Sequence, residues 1–230
     1  EDFAENLNTE LRQRYLGTDY HVGSGLSYTI LPDNIAYVVY DSFSDGIGDG
    51  NLSDMMTFLR LTDGMILDIR GNGGGELTNA EKLSSRFTNE KVLVGYMSHK
   101  TGKGHDDFSE PRAEYVSPSE GVRWQKPVVV LVNRSCYSAA NIFVRNMKEM
   151  PRATIMGDRT GGGSGLPFTS ELPIGWSVRF SASPLFDARM EHIEFGIEPD
   201  VESQLDEAKA AEGIDSMIEQ ARQFLHSDTK

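Results

Sequence analysis

An α/β fold containing parallel strands is what this 230-residue sequence predicts, on three observations. Segments of strand character alternate with segments of helical character, the pattern of strands joined by crossover helices. Short apolar runs stop abruptly at polar or glycine-rich loops, in "GMILDIRGNGGG", "KPVVVLVNRSCYSAANIF" and "ATIMGDRTGGGSG". A hydrophobic fraction of 38% is enough for a substantial buried core. No internal repeat, low-complexity tract or clear interdomain linker interrupts the chain.

The elements follow in order. Phe3, Leu7 and Leu11 recur at helical spacing and predict a helix ending near Gly17. "GLSYTIL" and "NIAYVVYDSF" are rich in β-branched and aromatic residues and are separated by Pro32-Asp33-Asn34, which predicts two strands and a turn. "NLSDMMTFLRL" is helical in pattern. Met65 to Ile69, the glycine cluster and "ELTNAEKLSSRF" form a strand, a loop and a helix. "KVLVGYMSHK" and "AEYVSP" flank the polar excursion "TGKGHDDFSEP". A second strand-loop-helix unit follows from Val128, then "ATIMG" as a strand, "LPFTSELPIGWSVRFSASPLF" as a hairpin and "GIDSMIEQARQFL" as a terminal helix.

A net charge of −13 with no basic cluster repels nucleic acid and anionic membrane surfaces, so neither is expected as a partner. The single cysteine, Cys136, rules out an intrachain disulfide framework and leaves the compartment open. "EDFAENLNTELRQRYLG" has neither the basic flank nor the apolar centre of a signal peptide, and no run reaches membrane-spanning length. Because the sequence does not begin with methionine, a processed product or an excised domain is expected.

In open α/β sheets, ligands sit where the carboxyl ends of strands give way to loops. Gly71-Asn72-Gly73-Gly74-Gly75 can aim backbone amides at an anion or a developing oxyanion, although a lone glycine cluster is more simply a flexible turn. No Gly-Lys-Ser/Thr follows, which excludes a Walker loop. Ser138 stands before a helix. There a serine is an ordinary N-cap, or a nucleophile exposed on a sharp strand-to-helix turn with the Ala139 amide beside it. Cys136 is a rival nucleophile, but burial and inertness are its default, and Ser135 is a turn residue. Gly161 to Gly165 form another glycine loop, and "HIEFGIEPD" offers His192 and Glu194, each ordinarily a surface charge.

Taken together, "GMILDIRGNGGG", "VVVLVNRSCYSAANIF", "IMGDRTGGGSG" and "EFGIEPD", in this order and spacing from Gly64 to Asp200, resemble the catalytic core of the C-terminal processing (tail-specific) serine peptidases and the tricorn protease core. The resemblance implies the ClpP/crotonase-like β-β-α superhelix with a mixed sheet. It places Ser138 as nucleophile, Glu194 as the family's glutamate, and Gly73, Gly74 and the Ala139 amide as the oxyanion hole. It implies no metal or organic cofactor, an extended or unfolded polypeptide as substrate, and a periplasmic or cell-envelope setting. The sequence departs from the serine-lysine branch, which carries a lysine where this chain has Gly163; the lysines nearest in sequence are Lys148 and Lys209. The tricorn-like branch uses a histidine base instead. His21 and His192 are the internal candidates, while His99, His105 and His226 have the character of surface residues. The expectation is a lead-in helix and linker over 1–24 and a catalytic core over 25–230. The histidine base, and a PDZ-type domain, would lie in a missing upstream region. The competing readings are a non-catalytic ligand- or peptide-binding module of the same fold and a crotonase-like acyl-CoA enzyme.

Overall fold

Apolar runs without polar alternation require cover on both faces of a sheet, and here interior helices cover one face while helices from the two ends of the chain cover the other. The computed structural model describes residues 5–227. Helix α1 (Thr9–Leu16) leads into β1 (His21–Gly23), β2 (Leu26–Ile30) and β3 (Ile35–Tyr40), followed by α2 (Asp49–Leu59), β4 (Gly64–Asp68) and α3 (Leu77–Ser84). Strands β5 (Val92–Met97), β6 (Arg112–Val116) and β7 (Val128–Val132) precede α4 (Ala139–Lys148) and β8 (Ala153–Gly157). The hairpin β9 (Phe168–Glu171) and β10 (Ser177–Phe180) is followed by β11 (Leu185–Phe186), β12 (Val201–Glu202), α5 (Glu207–Ala211) and α6 (Ser216–Ser227).

The main sheet has seven strands in the order β1-β2-β3-β4-β7-β8-β12. Its first pairs are antiparallel, and every pair from β3 to β12 is parallel. This is the mixed sheet expected. All residues of β3, β4 and β7 are buried, and they divide by alternation between two cores. Val38, Leu67, Val130 and Val132 face Leu52, Met55, Leu83 and Phe143 of α2, α3 and α4. Tyr37, Val39, Ile66, Val129 and Leu131 face Leu16 of α1 and Met217, Ile218, Ala221 and Leu225 of α6. Each such fully buried aliphatic side chain contributes about 1.5–3 kcal/mol relative to exposure. A smaller sheet, β11-β5-β6, lies apart from the main one. The β9–β10 hairpin is exposed along both of its strands.

The first helix starts later than its spacing predicts. Asn8 caps it, its side-chain oxygen accepting from the amides of Glu10 and Leu11, so Leu7 precedes the helix and Phe3 lies outside the described residues. Four short elements escaped the sequence reading: β1, β11, β12 and α5 have three, two, two and five residues, too few to show a period, and β11 pairs with β5 rather than extending the hairpin that was expected to run through Phe186. In β1, His21 pairs with Tyr28 at the edge of the main sheet. Among the described residues, no helix is long and apolar enough to cross a membrane.

Candidate active site

The strand order decides which loops meet. β4, β7 and β8 are parallel neighbours, so the segments leaving their carboxyl ends emerge side by side. Hydrogen bonding continues into these loops. The Gly71 amide donates to Asn133 Oδ1 at 2.9 Å, the Tyr137 amide to the Asn72 carbonyl at 3.1 Å, and the Ser138 amide to the Gly162 carbonyl at 2.8 Å. On its other side the glycine loop is tied to Phe43, whose amide donates to the Gly74 carbonyl at 2.9 Å.

Ser138 occupies the N-cap position of α4 but does not cap it. Its backbone sits at φ 57°, ψ −120°, and its hydroxyl makes no bond to the helix's first amides. A non-glycine residue in this region carries strain of about 1–3 kcal/mol, held here by the flanking bonds to Asn72 and Gly162. The consequence is a half-buried hydroxyl at the positive end of a ten-residue helix, facing a cleft of about 270 Å³. That cleft is also lined by Gly75, Leu77, Ile142 and Arg179. The ordinary N-cap role is therefore not the one this side chain performs.

Gly74 lies directly against this turn. At φ 99°, a Cβ there would stand 2.6 Å from the Tyr137 carbonyl oxygen and 2.8 Å from both the Ala139 nitrogen and the Ser138 Cβ. The Gly74 amide donates to Asn72 Oδ1 at 2.9 Å. Among the described residues, the amides of Gly73 and Ala139 donate to no acceptor. Of the three amides expected as the oxyanion hole, those of Gly73 and Ala139 are thus unengaged among the described residues, while that of Gly74 is already hydrogen bonded.

The third loop is glycine because it is sandwiched. A Cβ on Gly162 would meet the Glu194 carbonyl oxygen at 2.0 Å, and the Gly163 amide donates to that carbonyl at 2.8 Å. One strip of backbone therefore separates Ser138 from Glu194. The Glu194 carboxylate accepts from Ser181 Oγ at 2.9 Å. Asn141, buried on the first turn of α4, donates to Ser164 Oγ at 2.7 Å and to the Ile193 carbonyl at 2.9 Å, and accepts from Thr160 Oγ1 at 2.5 Å. It fastens the Glu194 segment to the serine's own helix. At Gly163 a Cβ would fall 1.9 Å from Tyr137 Cζ. The space a lysine side chain would enter is filled by that tyrosine ring.

All five histidines are engaged elsewhere, and none lines the Ser138 cleft. His21 packs on Tyr28 and Phe58, on a strand four steps from β7, roughly 19 Å away at ordinary strand spacing. His192 packs on Phe186 and lines a separate charged cleft with Lys148 and Arg159. His99 meets Ser183, His105 meets Asp106 and His226 meets Asp33. Cys136 is fully buried, its thiol donating to the Ile69 carbonyl at 3.1 Å, and burial pushes its pKa up to about 12. It is buried, as its default reading expects.

Below the glycine loop, Arg70 is buried between Asp68 and Asp215, at 2.7 and 3.0 Å. Tyr37 donates to Asp68 at 2.8 Å. Burial raises the Asp68 carboxyl, but the charge and hydrogen bonds of Arg70 outweigh it and hold the group below its ordinary value. Asp215 also accepts from the amides of Met217 and Ile218, so the cluster pins α6 to the end of β4. Among the described residues, no group of His, Cys, Asp and Glu has the arrangement to hold a metal.

The family profile described as Peptidase family S41 matches residues 34–203. The chain belongs to peptidase family S41. This S41 chain is 28% identical over 176 residues to the carboxy-terminal processing protease CtpA of Bacillus subtilis, covering 75% of the chain and 36% of that protein. It is 27% identical over 140 residues to the chloroplastic C-terminal processing peptidase of Tetradesmus obliquus, covering 60% of the chain and 28% of that protein. It thus spans about a third of the length of these relatives. A crystal structure of a candidate peptidase from Parabacteroides merdae superposes with a TM-score of 0.94 at 48% identity, over 97% of this chain and 71% of that one. Mature CPAF bound to lactacystin superposes at 0.71 with 15% identity, over 89% and 54%, and shares the fold. The serine-type peptidase family and the mixed α/β fold expected from the motifs are both borne out.

Asn72, Asn141, Thr160, Ser181 and Arg179 were not singled out from the sequence. The Asn in "SAANIF" carried a usable signal, since an amide on an apolar helix face that becomes buried must find partners. The others carried none: Asn72 reads only as part of a glycine-rich turn, Thr160 and Ser181 meet partners remote in sequence, and the Arg179 side chain has no partner among the described residues.

Proposed function

We propose that this S41 chain is the core of a serine endopeptidase acting on extended polypeptide, with Ser138 as nucleophile. The observation that carries it is the strained turn that withholds the Ser138 hydroxyl from capping and presents it to a cleft. Ser138 Oγ attacks the peptide carbonyl, and the tetrahedral oxyanion is received by the unengaged amides of Gly73 and Ala139, with the helix terminus adding positive potential. Gly74 contributes by letting the loop approach, its own amide being held by Asn72. A histidine takes the serine proton and passes it to the leaving amine, and Glu194 orients that histidine from across the Gly162–Gly163 strip. With all five histidines engaged elsewhere, the base comes from a region beyond this chain, as does any PDZ-type substrate-binding domain. The work is done in the cell envelope or periplasm, without a cofactor.

The same observation favours one other reading, a peptide-binding module that keeps the cleft without turnover. A fluorophosphonate probe and cleavage of an unfolded protein, applied to this chain and to a longer natural form, separate the two. Labelling at Ser138, lost in Ser138→Ala, with turnover in the longer form, is expected. Peptide binding without labelling or turnover in either form would replace the peptidase with the binding module.

A further inference from the structure

The wall of the cleft in front of Ser138 combines Leu77, Ile142, Leu166 and Pro167 with the polar Ser164, and among the described residues Arg179 is the one charged side chain that lines it. Arg179 sits on β10, where it pairs with Thr169 of β9. Side chains two apart on an extended strand share a face, and two residues on, Ser181 donates to Glu194 at 2.9 Å. The guanidinium thus belongs to the face turned toward the site. It has no hydrogen-bond or ion-pair partner among the described residues. The chain's net charge of −13 makes its far field repel anions, so a carboxylate entering this cleft needs a local cation to receive it. An arginine suits that task, since its planar fork binds a carboxylate through two parallel hydrogen bonds.

We propose that Arg179 is a specificity-determining residue that receives a carboxylate of the polypeptide beside the scissile bond. The group is either the substrate's terminal carboxylate or an Asp or Glu side chain. This rests on the peptidase reading. It adds a preference that the nucleophile and oxyanion donors do not impose, because they contact only the main chain.

The test uses quenched fluorogenic peptides of one sequence in four forms: neutral and amidated, free at the carboxyl terminus, carrying one acidic side chain, and carrying one lysine. The ratio of kcat/KM values is read for wild type, Arg179→Gln and Arg179→Glu in the full-length protein. Binding of the same peptides to Ser138→Ala, by anisotropy, gives the ratio without turnover. One of the two carboxylate peptides is expected to be favoured about tenfold over the neutral form, with the advantage shrinking as salt rises. Which one is favoured identifies the source of the carboxylate. Arg179→Gln should bring the ratio near one, and Arg179→Glu should turn it toward the lysine peptide. Equal ratios in wild type, or a preference surviving in Arg179→Gln, would overturn the assignment. Fluorophosphonate labelling of Ser138 in the same samples separates the two failures. Labelling without carboxylate preference sinks only the role of Arg179, whereas absence of labelling, cleavage and binding sinks the peptidase reading as well.

Discussion

A methyl group added to Gly74 would stand 2.8 Å from the Cβ of Ser138. The glycine loop and the serine turn are therefore two sides of one contact. Gly74→Ala must either push the turn away or twist the loop out of φ 99°. We expect a loss of about 2–3 kcal/mol in stability, together with loss of probe labelling at Ser138. Gly73→Ala is the contrast, because its Cβ would meet nothing within 4 Å. Its thermal unfolding should stay within about 0.5 kcal/mol of wild type. Equal destabilisation by the two substitutions would mean that the contact is not what fixes glycine at 74.

Installing the lysine of the serine-lysine branch should fail on steric grounds. Gly163→Lys places a Cβ 1.9 Å from the Tyr137 ring at a backbone φ of 73°. The variant is expected to unfold at lower temperature and to gain no activity at alkaline pH. A stable Gly163→Lys protein with an alkaline-dependent activity would show that the ring swings aside.

The Asp68–Arg70 pair sets an acid limit on stability. The folded-state carboxyl of Asp68 lies below its ordinary value of 3.8, so the unfolded chain binds more protons as the pH falls through that range. The stabilisation is complete above about pH 5 and is lost progressively on further acidification. Denaturant titrations across that range should show a shallower acid dependence for Asp68→Asn than for wild type, with lower stability near neutrality. Arg70→Met leaves two buried carboxylates without their cation and should cost about 3–5 kcal/mol.

Cys136 should resist alkylation in the native state. Its thiol is buried, donates to the Ile69 carbonyl, and is pushed up to about 12 by burial, so almost no thiolate exists at about pH 8. Iodoacetamide should modify it only after denaturation, which mass spectrometry would read directly. Rapid native labelling would reopen Cys136 as a nucleophile.

Much of this molecule was written locally. The run Val128–Val132 and the run of Met65, Ile66 and Leu67 are buried throughout, which their unbroken apolar character required once they became central parallel strands. The strand-to-helix turn at Ser138 was legible for the same reason, since both flanking elements announce themselves by period and composition. Glycine clusters marked where backbones approach, but not what they approach. Tertiary structure alone put Tyr137 over Gly163, Glu194 behind Gly162, Asp215 on Arg70 and Arg179 in the cleft. It alone left His21 on the far edge strand and His192 in another cleft. The reason is physical. Periodicity reports how a segment meets a core, which depends on residues a few positions apart, whereas a site depends on which strands lie side by side, here β4, β7 and β8, brought together across nearly a hundred residues by the burial of two apolar faces.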